Sequence, residues 1–183
     1  MKLQQILIDN RKEEEIIFCS PDFTSINANL VLAFGEREFL ENLSPYKRLK
    51  ELYPNAQIVI CSTSGQISNL NIVENNIVST AIEFNKATIK IAEIDISKNN
   101  DIHELGNIVK EELFNEQLKS IVVISEGSFI NGTELVNELG SQTNHSIPIF
   151  GGLAGDNINF QKTLVGLNED ASEGKVLVIG FYG

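Results

Sequence analysis

The sequence predicts an α/β protein, with α+β as the alternative, built on a mixed β-sheet that is sandwiched with helices and includes antiparallel hairpins. Short apolar runs of strand length alternate with stretches of helical periodicity, which favours parallel pairing through helical crossovers. Two adjacent β-rich stretches interrupt that alternation, which favours antiparallel pairing as well. The length of 183 residues predicts one domain, residues 1–183, with residues 1–27 as an N-terminal extension packed on it.

The predicted strands are short apolar runs bounded by glycine, proline or polar residues. They lie at residues 30–34, 58–61, 121–124, 147–150, 163–165 and 176–182. Two further β-rich stretches, residues 77–84 and 87–96, are joined by the short link Asn85-Lys86. A link of that length predicts that these two stretches pair with each other as an antiparallel hairpin.

Three helices are predicted between the strands. Residues 36–53 have helical periodicity, with a break at Ser44-Pro45 because proline lacks the amide donor and clashes with the preceding turn. Asp101 predicts the N-cap of a second helix, whose apolar stripe reaches Leu113. A shorter third helix is predicted to begin at Asn131 or Thr133 and to be closed by Gly140.

Composition and charge exclude several classes of protein. The formal net charge of -11 repels nucleic-acid phosphates and anionic membranes, so neither is expected as a partner. The first residues lack the apolar stretch of a signal peptide, and no apolar run approaches the roughly 20 residues of a membrane helix. Cys19 and Cys61 form neither a metal-binding spacing nor a disulfide framework. A cytoplasmic location without a structural metal is therefore predicted.

Three loops of small and polar residues follow predicted buried strands. Because ligands favour the carboxyl ends of strands in open α/β sheets, these loops are the candidate ligand-binding site. Glycines there let a ligand approach the backbone, and hydroxyl groups supply directional hydrogen bonds. The alternative is that the loops are turns that need small residues. The candidate ligand-binding residues are Cys61, Ser62, Thr63, Ser64, Gly65, Ser125, Glu126, Gly127, Gly151, Gly152 and Asp156.

The loops do not match the common phosphate-binding motifs. Residues 151–155 lack the G-x-G-x-x-G spacing and precede no helical pattern, and the Gly-Lys-Ser/Thr of a P-loop is absent. Cys61 or Ser62 could act as a nucleophile, but a nucleophile needs a base and only His103 and His145 are available. A hydrolase is therefore an alternative hypothesis, and a haem sensor that uses either histidine is another. No catalytic residue is assigned.

The loops, in this order, resemble the FIST N-terminal domain family. The resemblance begins at residues 29–34, continues through residues 56–67 and closes with residues 147–156. The central block is similar to the family's Gly-Cys-Ser-Thr-x-Gly-Glu-Ile. Two residues depart from that block: Ile60 stands where the family has glycine and Gln66 where it has glutamate.

The resemblance implies a sensory domain of signal-transduction proteins that is not an enzyme and that binds small molecules, such as amino acids or related metabolites. It also implies a FIST C-terminal domain downstream and a histidine kinase, diguanylate cyclase or chemoreceptor as the output module. Some family members are linked to haem, and no other cofactor is expected. The last strand runs to Gly183 without a polar tail, so we expect the chain to be one piece of a longer protein.

Overall fold

The computed structural model describes residues 1–9, 13–97, 101–158 and 161–183. In these residues, strands dominate and the helices fall in two pairs. The strands are β1 (Lys2–Ile8), β2 (Glu14–Cys19), β3 (Leu30–Gly35), β4 (Gln57–Ser62), β5 (Gln66–Ser68), β6 (Asn71–Val73), β7 (Ile77–Glu83), β8 (Thr88–Asp95), β9 (Leu118–Ser125), β10 (Ile149–Leu153), β11 (Val165–Leu167) and β12 (Lys175–Tyr182). The helices are α1 (Arg37–Leu43), α2 (Tyr46–Leu52), α3 (Ile102–Leu113) and α4 (Gly132–Gln142).

The strands form two main sheets, each of mixed direction. The six-stranded sheet has the order β11-β4-β3-β7-β1-β2, and only β3 and β4 in it are parallel. The four-stranded sheet has the order β10-β9-β12-β8, and only β9 and β10 in it are parallel. The α/β class and the mixed strand direction predicted from the sequence are thus confirmed, with the strands divided between two sheets.

Strand alternation stacks these elements in four layers. In β3, Val31 and Ala33 pack against α1 and α2. The alternate residues Leu30, Leu32 and Phe34 face the four-stranded sheet. In β12, Val176 and Val178 pack in the apolar cluster that includes residues of α3 and α4. The alternate residues Leu177 and Ile179 face the six-stranded sheet. Successive side chains of a strand point to opposite faces, so each sheet is apolar on both faces. The layers are therefore helices, sheet, sheet and helices.

Local sequence accounts for the helix ends. Ser44 adopts a left-handed conformation (φ 46°) and Pro45 follows, which separates α1 from α2 where the sequence predicts the break. The Asp101 carboxylate accepts hydrogen bonds from the amides of residues 103 and 104, as an N-cap does. Asn131 caps α4 in the same way. The predicted end of α4 at Gly140 is wrong by two residues, since the helix continues through Gln142.

The predicted hairpin between residues 77–84 and 87–96 is wrong. β7 pairs with β1 and β3 in the six-stranded sheet, whereas β8 pairs with β12 in the four-stranded sheet. The link at residues 85 and 86 therefore crosses between the two sheets. Phe84, just before the link, packs edge-on against Phe181 of β12, with ring centroids 5.8 Å apart. A short polar link can join two strands of one hairpin or two strands of different sheets. The length of the link alone therefore does not distinguish these two connections.

The small hairpin of β5 and β6 buries polar side chains and exposes apolar ones, the reverse of the usual pattern. Gln66 and Ser68 are buried, while Ile67, Leu70 and Ile72 are 71%, 91% and 78% exposed. Ile67 and Ile72 face each other across the hairpin. Neither strand is anticipated from the sequence, because three residues are too short for a periodic pattern.

Residues 1–27, predicted as a packed extension, contribute β1, β2 and a 3-10 turn at Ser25–Asn27 in the described part of the chain. β1 and β2 form one side of the six-stranded sheet. None of the helices in the described residues has the length and apolar character needed to cross a membrane.

Candidate functional site

The ends of the two parallel strand pairs meet at one place, which we call the loop junction. It comprises residues 61–65, 125–128, 153–157 and 161–164. Ser62 at the end of β4 lies at its centre: its carbonyl accepts a hydrogen bond from Gly155 N at 2.9 Å, and its hydroxyl accepts one from Leu164 N at 2.8 Å. Ser62 is fully buried. The sequence-predicted loops are thus brought together, with Ser62 holding the backbone of the other segments.

Gly155 shows how closely these segments pack. A Cβ at this position would stand 2.7 Å from Ser64 Oγ and 3.2 Å from its backbone nitrogen. The Ser64 hydroxyl could rotate away from such a Cβ, but the backbone nitrogen would have to move by a few tenths of an ångström, so a larger residue would push the two loops apart. Packing between the two loops therefore explains the glycine at position 155.

Glu126 anchors the second loop from within the protein. Its carboxylate is fully buried and accepts hydrogen bonds from Ser128 N at 3.1 Å, Phe129 N at 2.5 Å and the Thr163 hydroxyl at 3.3 Å. Thr163 Oγ1 in turn accepts a bond from Gly127 N at 2.7 Å. Backbone amide and hydroxyl donors satisfy the buried acid, and they fix the turn that follows β9.

Asp156 anchors the third loop through a buried ion pair. Its carboxylate lies 2.7 Å from Arg37 Nε, and the second oxygen accepts bonds from the amides of Gln161 at 2.8 Å and Lys162 at 3.2 Å. The side chains of Arg37 and Asp156 are only 9% and 3% exposed. Burial alone would raise the pKa of Asp156, but the bonds from Arg37 and from the two amides outweigh it and hold that pKa below its usual value.

The same ion pair connects the loop junction to α1. Arg37 begins α1, and its second arm pairs with Glu41 one turn later at 2.9 Å. Glu41 also pairs with Lys162, and the hydrogen bond from Lys162 is the largest contribution that lowers the pKa of Glu41. Sequence reasoning missed Arg37, because a charged residue at the start of a helix is normally solvated. The four charges therefore tie α1 to the segment that follows β10.

Cys61 does not provide the activated thiol that the hydrolase hypothesis needs. It is 4% exposed and belongs to the apolar cluster between the sheets, and burial raises its pKa to about 12. Its thiol donates to its neighbour's carbonyl, Ser62 O, at 3.4 Å. A nucleophilic cysteine instead needs a lowered pKa and a nearby base.

The two histidines lie in the outer helical layer. His103, on α3, is 74% exposed at its side chain and lies 3.1 Å from Glu138 of α4. His145 follows α4, and its amide donates to Gly140 O at 2.8 Å. Neither contacts Cys61, which faces the core between the sheets. The described residues also contain no cluster of His, Cys, Asp and Glu side chains that could hold a metal ion.

The predicted site residues fall into three groups in the structure. Cys61, Ser62, Ser125, Glu126 and Asp156 are buried, and the side chains of Ser62, Glu126 and Asp156 hold the loops. Thr63, Ser64, Gly65 and Gly127 line the exposed or half-buried rim of the junction. Gly151 and Gly152 lie apart, within β10, because the strand extends into the predicted glycine loop. They border a groove of about 360 Å³ between β10 and α4.

Gln66, one of the two departures from the family block, is 1% exposed. Its side-chain amide lies 3.0 Å from Thr63 Oγ1 and therefore supports the rim from behind. A glutamate in this place would bury a further negative charge close to the rim.

A second cavity was not anticipated from the sequence. It has a volume of about 550 Å³ and lies between β1, β2 and α2. Tyr53 borders it and donates a hydrogen bond to Gln4 Oε1 at 2.8 Å. Burial, aided by Glu14, raises the pKa of Tyr53 to about 12, so the phenol stays a neutral donor. Glutamine, tyrosine and isoleucine on short strands give no recognisable signal of a cavity in a single sequence.

The four-layer fold and the loop junction define a compact α/β module with a cluster of hydrogen-bonded loops at the ends of its parallel strands. The sequence model of the FIST N domain matches residues 29–183, and the chain belongs to this family. FIST domains are sensory domains of signal-transduction proteins. The search of curated proteins finds no match to the chain.

Proposed function

We propose that this domain senses a small polar metabolite, an amino acid or a related compound, which binds on the rim of the loop junction. One observation supports this location above the others: three separate loops are held against one another by the buried groups Ser62, Glu126 and Asp156. Such an arrangement presents the hydroxyl of Ser64 and the backbone around Gly127 on a preorganised surface. Preorganised polar groups lower the entropic cost of binding a small ligand.

The route by which binding would be transmitted follows from the ion pairs. A ligand that moves the segment around Gly155 by even a small amount acts on Asp156, and Asp156 holds Arg37 at the start of α1. Helix α1 therefore shifts or is released with the loop. A FIST C-terminal domain and a kinase, cyclase or chemoreceptor module are the proposed readers of that movement.

The test is calorimetric titration and thermal-shift screening with amino acids and related metabolites. A ligand that binds only the folded state raises the melting temperature by mass action. Ser64→Trp places a bulky side chain on the rim at an exposed position, and it is expected to abolish binding. Because the Ser64 hydroxyl lies close to Gly155, circular dichroism must show that this variant is folded before its loss of binding is interpreted. A control change on exposed α4, Ser141→Ala, is expected to leave affinity unchanged.

A second tryptophan substitution distinguishes ligand binding at the rim from ligand binding in the second cavity. Ile16 borders the cavity of about 550 Å³ and is 61% exposed, so Ile16→Trp fills that cavity without a cost in core packing. Binding that survives Ile16→Trp and is lost in Ser64→Trp supports the rim. The reverse result places the ligand in the cavity and refutes the proposed location. A full panel without any thermal shift would count against the small-molecule function itself.

A further inference from the structure

Strand β10 leaves one edge of the four-stranded sheet open in the described part of the chain. Pro148 O accepts from Ile121 N, and Ala154 N donates to Ser125 O, so the even-numbered residues of this segment point their backbone groups toward β9. In a parallel pair these groups alternate in direction. The N–H and C=O groups of residues 149, 151 and 153 therefore point outward, where another strand can bind them.

This edge lacks the protection that the edge strands β8 and β2 carry. β8, at the opposite edge, has the charged residues Lys90, Glu93 and Asp95. β2 begins with Glu14 and Glu15, and its pairing with β1 is interrupted by a bulge. Charges and bulges on an edge discourage pairing with another chain. By contrast, residues 146–155 contain no charged residue, and Phe150 and Leu153 are 61% and 47% exposed.

We propose that β10 pairs with β10 of a second copy of this chain, antiparallel about a two-fold axis at Gly151, so that the two four-stranded sheets become one. In this register Gly151 lies opposite Gly151, and Ile149 lies opposite Leu153. These are the residues with outward backbone groups, so the pair forms roughly six hydrogen bonds. The outward residues coincide with the hydrogen-bonded positions of the register, and no strand residue is left unpaired.

The side chains of the strand complement one another in the same register. Phe150 of one copy lies opposite Gly152 of the other, at a non-hydrogen-bonded pair where the backbones approach most closely. A Cβ at Gly152 would meet no atom of the described residues within 4 Å. The aromatic ring of the second copy can therefore cover Gly152 on both sides of the axis.

The net charge of each copy makes the proposed dimer sensitive to salt. Two chains of formal charge -11 repel each other, but the uncharged edge places no carboxylate in the contact itself. Added salt screens the long-range repulsion while leaving apolar contacts and backbone hydrogen bonds in place. Dimerisation is therefore expected to strengthen between about 0.05 and 0.5 M salt. A contact built on ion pairs would weaken over that range.

Sedimentation velocity over a roughly hundredfold range of protein concentration measures this equilibrium. Phe150→Lys adds a charge to the edge, and Gly152→Val fills the seat of the phenylalanine. Each is expected to raise the dimer Kd by roughly tenfold or more. Both positions are open to solvent in one copy, so circular dichroism is expected to show unchanged folding. The matched control is Ile67→Lys, at an aliphatic side chain that is 71% exposed on the small hairpin of β5 and β6.

Amide hydrogen exchange supplies a readout independent of the substitutions. At high protein concentration the amides of Gly151 and Leu153 are expected to become protected, and dilution is expected to remove that protection. A chain that is monomeric at every concentration and salt overturns the proposal. The proposal is also overturned if Ile67→Lys dissociates the dimer while Phe150→Lys and Gly152→Val leave it intact. That result would place the contact on the hairpin of β5 and β6.

Discussion

Replacing the carboxylate of Asp156 tests whether the buried ion pair holds the loop junction. Asp156→Asn keeps the size of the side chain but removes the charge opposite Arg37, whose side chain is 9% exposed. Breaking a buried pair typically costs 3–5 kcal/mol, because the remaining charge is left without a partner. Arg37 retains Glu41 at 2.9 Å, which places the expected loss of unfolding free energy near the lower end, at about 3 kcal/mol.

Urea unfolding at neutral pH measures this loss, with an unchanged m-value as evidence that the unfolded state is the same. The exposed neighbour Glu38 is the control: it lies 3.5 Å from Arg37 and is 69% exposed, so Glu38→Gln is expected to cost less than about 0.5 kcal/mol. The folded pKa of Asp156 is lowered. Its stabilisation is therefore complete above the unfolded pKa and is lost as the pH falls through the folded pKa.

The stability difference between the wild type and Asp156→Asn should accordingly shrink on acidification below about pH 4. A loss below about 1 kcal/mol at neutral pH would show that Arg37 is adequately held without Asp156, and that the ion pair is not what anchors the loop. A difference that is constant down to the acid transition would show that the carboxylate charge does not contribute.

Three further experiments test the packing of the loop junction and of buried groups elsewhere in the domain. Gly155→Val is expected to destabilise the fold by about 2 kcal/mol or more in thermal unfolding, because its Cβ would collide with Ser64. The control Gly152→Val should be neutral in the monomer, and equal effects of the two changes would contradict the close approach at Gly155. Ser79→Ala should change the free energy of unfolding by less than about 0.5 kcal/mol in either direction, because the buried Ser79 hydroxyl has no hydrogen-bond partner among the described residues, and a larger loss would reveal one. Alkylation followed by mass spectrometry should label the exposed Cys19 quickly and Cys61 slowly near neutral pH, because burial raises the pKa of Cys61 to about 12; fast labelling of both would revive the nucleophile hypothesis.

The elements that the sequence predicts well have a local physical cause. The apolar runs of β3 and β4 are buried on both faces, so every residue in them is selected for burial. The break at Ser44-Pro45 needs only proline chemistry, and the cap at Asp101 needs only a side-chain acceptor. These features depend on few neighbours, and a single sequence displays them.

The elements that the sequence does not predict depend on distant parts of the chain. The link at residues 85 and 86 joins two sheets, which nothing within the link reveals. Ile67 and Ile72 are exposed while Gln66 is buried, the reverse of what hydrophobicity predicts. For the site, the residue types at positions 62, 126 and 156 indicate that the loops matter. Their burial appears only in the folded chain, and Arg37, the partner of Asp156, lies 119 positions away from it in the sequence.

The position of β11 has a consequence for how the chain can be divided. All strands of the four-stranded sheet come after residue 87, yet β11, from the same half of the chain, pairs with β4 in the six-stranded sheet. The N-terminal part of the polypeptide therefore cannot complete its sheet alone, and the C-terminal part carries a strand that pairs only with the other sheet. A chain cleaved at the exposed link near residue 86 should remain together as two interlocked fragments, which separate only in denaturant and recover the fold only when both are present.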